Sequence, residues 1–400
     1  LPEQGVSCSM MMANSEGIAK VAELLNNGTF AIWLGFGARD GAEEIRQLAE
    51  KTGAAVMCSP RGKGIFPENH PQFIGVTGLG GHASVMTYMQ EQAPIRTLVL
   101  GSRLSEPTSF WNQDMVPSKG FIHVDIDPTV AGVAYPHAET LFIQSDIRTF
   151  VRQLLNKLEA DSEASEFPLK AIQPSSLPKP ERWRVESEQE SPVRPFVLME
   201  AIQKVIVEGS DAVAIAECGN SFTWSTNLLR FSSSNRYRVS TGVGAMGHAV
   251  TGVVGAAQAR NGKAVAIVGD GAMLMNNEIS TAVKYQIPAI WIVLNDGRYN
   301  MCHQGMKMLG MTGADAILPE TDFEMIARGM GAEGIRVTKE SEITAALERA
   351  IAAKGPIIVD VLIDPDIPAP SGGRNKGLAS QGVKSTSEQK PKVQASFPNI

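Results

Sequence analysis

Two aspartates in this 400-residue chain stand where short apolar runs come to an end. "KAVAIVGDGAMLMNNE" (263–278) sets Asp270 between Gly269 and Gly271, and "AIWIVLNDGRYNM" (289–301) sets Asp296 between Asn295 and Gly297, 26 residues further on. Open parallel sheets bind ligands beyond the carboxyl ends of their strands, so a charge at a strand end faces a crevice rather than a core. The flanking glycines let the backbone turn tightly, and the amides that follow make an anion-attracting nest at a helix start. Asp270 is itself an anion, so a second anion shares that place only with a cation between them. Mg2+ resolves the conflict, because it prefers six oxygens and commonly takes one or two carboxylates together with phosphate oxygens. A lone Gly-Asp-Gly also serves as a plain turn. Two such strand ends, one helix-and-strand crossover apart, are the stronger signal.

The elements that must position these residues are α/β in character. Short β-branched runs alternate with helical patterns, which predicts two doubly wound parallel-sheet, Rossmann-like domains joined by a linker. In the first, 12–158, runs at 29–35, 54–58, 97–102, 121–127 and 140–144 read as buried strands, with "GAEEIRQLAEKTG" as a helix between the first two. Residues 159–195 are rich in Glu, Ser and Pro and read as a surface linker. In the second, 196–371, strands are expected at 212–218, 264–270, 289–295, 334–337 and 356–363, and helices around 246–259, 276–286 and 341–353. Residues 372–400 turn to Ser, Gly, Lys and Gln and are expected to form a disordered tail.

Composition narrows the classes of function. With 43% hydrophobic and 20% charged residues the chain can bury sizeable cores, and a net charge of −6 supplies no global field for nucleic acid or anionic lipid. Cys8, Cys58, Cys218 and Cys302 lie far apart without a CxxC pair, which argues against a disulfide framework or a zinc site. No apolar run approaches the roughly 20 residues of a membrane-spanning helix. The expected setting is the cytoplasm, with no nucleic acid and no membrane as partner.

Gly269-Asp270-Gly271, the helix "NNEISTAVKYQIP" and "VLNDGRYNM" together resemble the thiamine diphosphate signature of the acetolactate synthase and 2-oxo-acid decarboxylase family. The resemblance implies Mg2+ held by Asp270, Asp296 and the main-chain carbonyl of Arg298, with Asp296 standing where the family usually has Asn. It implies diphosphate contacts from Gly271, Ala272 and Asn220, the last because "ECGNSFTW" (217–224) resembles the family's preceding phosphate-contacting segment. Gly219, Ser221, Gly244, Gly269 and Tyr299 complete the implied cofactor-binding set. In "TGVGAMGHAVTGVVGAA" (241–257), Met246 matches the apolar residue that props the cofactor's two rings into a V. His248 and His303 are histidines able to shuttle protons or simply to line the site, and Gln304 matches a family position. Gly305 falls where acetolactate synthases usually place a tryptophan, which suggests a wider acceptor pocket and a bulkier, even aromatic, 2-oxo acid.

The first domain resembles the same family's central domain through "LGFGARDGAEEIRQLAEKTGAAVMCSPRGKGIFPENHP" and "FIHVDIDP". Glycines 35, 37 and 41 are a loose dinucleotide fingerprint, and a scaffold without ligand is expected there, with FAD as the alternative. The implied activity is a thiamine diphosphate- and Mg2+-dependent carboligase of 2-oxo acids. A non-oxidative decarboxylase or lyase of the same superfamily, or a non-catalytic cofactor-binding fragment, are the alternatives. Family members pair subunits, so a homodimer or homotetramer is expected. The family's N-terminal pyrimidine-binding domain, with the glutamate that protonates the cofactor, has no counterpart in this sequence, and Glu278 lies on a different helix. The chain begins with Leu1, so the expectation is a piece of a longer enzyme, or else a partner chain that supplies that domain.

Overall fold

The computed structural model describes residues 10–164, 176–181, 183, 191–275, 278–311, 313, 315–371 and 373–374. Two parallel sheets of six strands each carry the architecture. The first contains β1 (Phe30–Leu34), β2 (Ala55–Cys58), β3 (Phe73–Val76), β4 (Arg96–Leu100), β5 (Phe121–Asp125) and β6 (Thr140–Gln144), in the order β3-β2-β1-β4-β5-β6. The second contains β7 (Val213–Ala216), β8 (Tyr237–Val239), β9 (Ala264–Gly269), β10 (Ala289–Asn295), β11 (Glu333–Val337) and β12 (Ile357–Leu362), in the order β11-β12-β10-β9-β7-β8. Helices cover both faces of each sheet, which is why the central strands read as unbroken apolar runs: every residue of β1, β4 and β10 is buried. Each sheet separates two apolar layers, one per face.

The chain reverses its winding direction between β1 and β4 in the first sheet and between β7 and β9 in the second. At such switch points the loops leave in opposite directions and open a crevice. The register of β10 on β9 pairs Leu294 with Gly269, so Asp270 and Asp296 both emerge just beyond neighbouring strand ends.

Two strands escaped the sequence reading. β3 is a four-residue run broken by Gly75, and β8 has only three residues, with Arg238 at its centre. The helix Ile147–Ala164 also continues past 158, into the stretch expected as linker, and Lys157 donates to Asp161 one turn on at 2.6 Å. Further along that stretch, Leu177 is buried in the first sheet's core and Trp183 stacks on Phe196 and meets Trp224 edge-on. Residues 165–175, 182 and 184–190 of the expected linker lie outside the described residues, as do 372 and 375–400 of the expected tail and Cys8. Cys58, Cys218 and Cys302 are free thiols. Among the described residues no helix is long and apolar enough to cross a membrane.

A buried ion pair fastens one sheet's loops to the other's. Lys63 Nζ donates to Glu68 Oε2 at 2.6 Å and to the Leu229 carbonyl at 2.9 Å, and both side chains of the pair are fully shielded from solvent. The Glu68 amide donates to the Phe231 carbonyl at 3.0 Å, while Asn227 donates to the carbonyls of Gly80 and Gly81. Burial pulls the Lys63 ammonium below its ordinary value and the Glu68 carboxylate pulls it back. Removing one partner strands the other charge in a medium that cannot solvate it. Glu68→Ala should therefore cost about 3–5 kcal/mol, read from the urea midpoint and slope of the unfolding transition; a loss within the scatter of exposed-site variants would show that the pair does not clamp the two halves.

Candidate functional site

A cleft of about 1050 Å³ opens between the carboxyl ends of the two sheets. Gly219, Asn220, Ser221, Gly244, Met246, Gly269, Asp270, Gly271, Ala272, Asp296, Arg298 and Tyr299 all line it, so the structure brings these sequence-derived candidates together. Asp270 follows β9 directly and opens the short helix Asp270–Met273. It is 3% exposed, yet its carboxylate is well served by backbone: Oδ2 accepts from the amides of Asp296 (3.2 Å), Gly297 (2.6 Å) and Arg298 (3.3 Å), and Oδ1 from that of Gly271 (2.6 Å). The turn that aims these amides needs φ of +64° at Gly297, a left-handed conformation that glycine adopts without penalty. Gly271 is required for a different reason, since a Cβ there would lie 2.5 Å from the Tyr299 ring.

Asp296 sits beside this arrangement and shares its charge. Burial pushes the Asp270 carboxyl up and the backbone amides pull it back down. For Asp296 burial acts first and the Asp270 charge second, and together they push it up to about 7. Asn300 Nδ2 donates to Asp296 Oδ2 at 2.6 Å and to the Pro365 carbonyl at 2.9 Å. Arg298 forms an ion pair with Asp366 at 3.1 Å, so the loop after β10 is tied to the return that follows β12.

Among the described residues no group of three or more His, Cys, Asp or Glu side chains converges as a metal cluster. The Asp270 and Asp296 carboxylates are a hard, two-acid donor set. Such a set suits a cation that completes its coordination with main-chain and ligand oxygens. Asn220 Oδ1, which lines the cleft, is buried without a hydrogen-bond partner. At Gly219, Gly244 and Gly269 no atom of the chain lies within 4 Å of where a Cβ would stand, so the backbone itself is presented to the cleft. The bare main chain fits a phosphate-bearing ligand held close to it, whereas the Asn220 oxygen is an acceptor that awaits a donor.

Other candidates lie elsewhere. His248 is exposed and lines an adjoining pocket of about 470 Å³ with Arg61 and Arg238, and neither it nor His303 lines the main cleft. Gln304 does not reach the cleft, because its amide is spent on the Ile367 carbonyl (3.1 Å), the Ala369 amide (3.1 Å) and Asn220 Nδ2 (3.4 Å). Gly305 is buried and outside the lining, so it does not bear on the cleft's width. Glu278 is the N-cap residue of the helix Ile279–Tyr285 and is likewise absent from the lining. In the first domain, Gly35 and Gly37 serve loop packing at the switch point: a Cβ on Gly35 would lie 2.2 Å from the Gly101 carbonyl oxygen.

Three features carried too little sequence signal to be singled out. Glu217, fully buried at the end of β7, accepts from the amides of Ala249 (2.9 Å) and Val250 (3.2 Å) and so caps the helix His248–Arg260. Asn300 was hidden within "NDGRYNM" because only the fold turns it back onto Asp296. Arg39, Arg61 and Arg238 gather on the Phe36 ring at 4.6, 4.4 and 5.4 Å from chain positions far apart. Burial and mutual repulsion hold Arg61 and Arg238 below the usual guanidinium range, and of the three Arg61 lines the main cleft.

The family described as thiamine pyrophosphate enzyme, C-terminal TPP binding domain, matches residues 217–361, and that described as thiamine pyrophosphate enzyme, central domain, matches residues 18–154. A putative acetolactate synthase large subunit of Mycobacterium tuberculosis is 31% identical over 346 residues, covering 85% of this chain and 61% of its own. A putative thiamine pyrophosphate-containing protein of Bacillus subtilis is 27% identical over 381 residues (92% and 63%), and acetolactate synthase isozyme 1 large subunit of Escherichia coli 26% over 357 (88% and 61%). The chain thus spans about three fifths of the length of these curated relatives.

The raised Asp296 carboxyl has a thermodynamic consequence. Its folded value lies above the ordinary 3.8, so the folded protein holds that proton more tightly than the unfolded chain does. The stability this contributes is complete below about pH 4 and is lost as pH rises through about 7. Asp296→Asn never acquires the charge. In chelator, its melting temperature relative to the parent should climb between about pH 4 and about pH 7; a difference that stays flat with pH would refute the like-charge account.

Proposed function

Because the chain belongs to the thiamine pyrophosphate enzyme family, with its central and C-terminal TPP binding domains, we propose that the cleft holds thiamine diphosphate with Mg2+ and serves a carboligase of 2-oxo acids. The observation that carries this reading is the pair of carboxylates, Asp270 and Asp296, brought side by side at neighbouring strand ends with backbone amides around them. Their side chains and the Arg298 main-chain carbonyl would hold the cation. The Ala272 amide would meet the diphosphate, the Gly271 amide and Asn220 Nδ2 being engaged with Asp270 and Gln304, and the bare main chain at Gly219, Gly244 and Gly269 would let it approach. Attraction to a helix end contributes only about 0.3–1 kcal/mol per charge at exposed sites, so the cation must dominate the anchoring.

When bound, the cofactor supplies the carbanion chemistry by which a 2-oxo acid loses carbon dioxide and what remains is joined to a second carbonyl. This chain's residues bind and orient. Met246, 40% exposed on the cleft wall, offers an apolar prop to the cofactor's rings. Gln304 acts at one remove, by holding Asn220 in place. Arg61, on the cleft wall, would attract an anionic oxo acid. The Gly35, Gly37 and Gly101 contacts favour the first domain as scaffold over a flavin-holding role. Val243, 93% exposed beside the cleft, is an apolar surface suited to a homodimer or homotetramer in which a pyrimidine-binding domain, from a longer chain or a partner, completes the site.

Calorimetry tests the anchoring. The parent protein should bind thiamine diphosphate only with Mg2+ present. Asp270→Ala should abolish that binding, a loss beyond the roughly 10- to 100-fold expected of an outer-shell change. Unchanged cofactor affinity in the variant would sink the reading. With a pyrimidine-binding domain supplied, acetolactate from pyruvate is the expected product, and acetaldehyde alone would mark a decarboxylase instead.

A further inference from the structure

Asn300 opens the helix Asn300–Met308, four residues after Asp296, and is 6% exposed on the cleft wall. Both of its donor hydrogens are used: Nδ2 donates to Asp296 Oδ2 at 2.6 Å and to the Pro365 carbonyl at 2.9 Å. Its Oδ1 is buried without any hydrogen-bond partner. Turning the amide over does not help, because it would set that oxygen against a carboxylate and a carbonyl. A buried acceptor left unmade is costly, and here it belongs to a residue whose other end grips one of the two cleft acids.

We infer that Asn300 is a positioning residue: it fixes the Asp296 carboxylate for a divalent cation and keeps its own oxygen for a donor that arrives with that cation. The inference rests on the cation reading above and deepens it. A carboxylate offers two equivalent oxygens and rotates freely. Tying one oxygen to Asn300 leaves the other in a set direction. The Pro365 bond carries that direction into the return after β12, which Arg298–Asp366 and Gln304 hold from either side. Asp296 adds a formal charge where the family resemblance calls for an amide, so Asp270 and Asp296 can take a divalent ion before any diphosphate is present. A hydrated ion also brings the water protons that Asn300 Oδ1 lacks.

The test is a double-mutant cycle on the full chain, with Mn2+ titrated by electron paramagnetic resonance and no thiamine diphosphate present. Asn300→Ala should weaken Mn2+ binding by roughly 10- to 100-fold in the parent, and by less than about twofold in the Asp296→Ala background, where no side-chain oxygen remains to be positioned. Asn300→Ser, which suits a helix start, should give the same pattern and stands in if the alanine variant does not fold. The metal-free melting temperature of each variant checks the fold. Equal losses in both backgrounds, or no loss in the parent, would overturn the positioning role while leaving the cation site intact. Failure of the parent itself to bind Mn2+ would instead overturn the cation reading, and this inference with it.

Discussion

Two carboxylates held against each other at the ends of adjacent parallel strands are the constraint around which the second domain is arranged. Left alone, the pair opposes folding, since burial and mutual repulsion both penalise ionised Asp296. The fold meets this chiefly with dipoles, with the Arg298 charge a lesser aid. Successive amides after β10 turn onto Asp270, an asparagine side chain turns onto Asp296, and the nearest guanidinium, that of Arg298, is taken by Asp366. A site meant only to be stable would use a lysine or arginine there. Oriented amides add no formal charge beside the acids.

That arrangement explains the second level of organisation, the polarity of the cleft. Asp270 and Asp296 line it from the second domain and Arg61 from the first, so its two charges come from different parts of the sequence. Arg39 and Arg61 belong to the first domain and Arg238 to the second, yet they share the Phe36 ring, which spreads their charge over its negative faces. Such a cluster persists only where the two domains are fixed in register. The Lys63–Glu68 pair, inserted beneath Leu229 and Phe231, gives that fixity from within a sealed interface.

How much of this was legible beforehand follows from the range over which each feature is encoded. The buried strands were legible because parallel-sheet strands are apolar on both faces: "AIWIVLN" announces β10 to the residue. β8 was not, because three residues with an arginine between Tyr237 and Val239 carry no period. Asp270 and Asp296 were legible as a pair because strand-end position is a local property and the crossover length is regular. Asn300, Glu217 and the arginine cluster were not, since each depends on a contact that only the finished topology creates. Gly305 is buried and does not line the cleft, so the cleft neither supports nor opposes reading it as a pocket-widening residue.

The glycines sharpen the distinction between scaffold and site. In the first domain Gly35, Gly62, Gly78 and Gly101 are demanded by the chain's own backbone, because a Cβ at each would fall within 3 Å of a main-chain atom of another segment. In the second, Gly219, Gly242, Gly244, Gly247 and Gly269 face no atom within 4 Å. Glycine weakens a fold through its entropy in the unfolded chain, so it is retained where a left-handed turn or a close neighbour requires it. Gly219, Gly244 and Gly247 meet the first condition through positive φ, whereas Gly242 and Gly269 meet neither within the chain. Gly269 directly precedes Asp270, so its open main chain lies at the same strand end as the two acids.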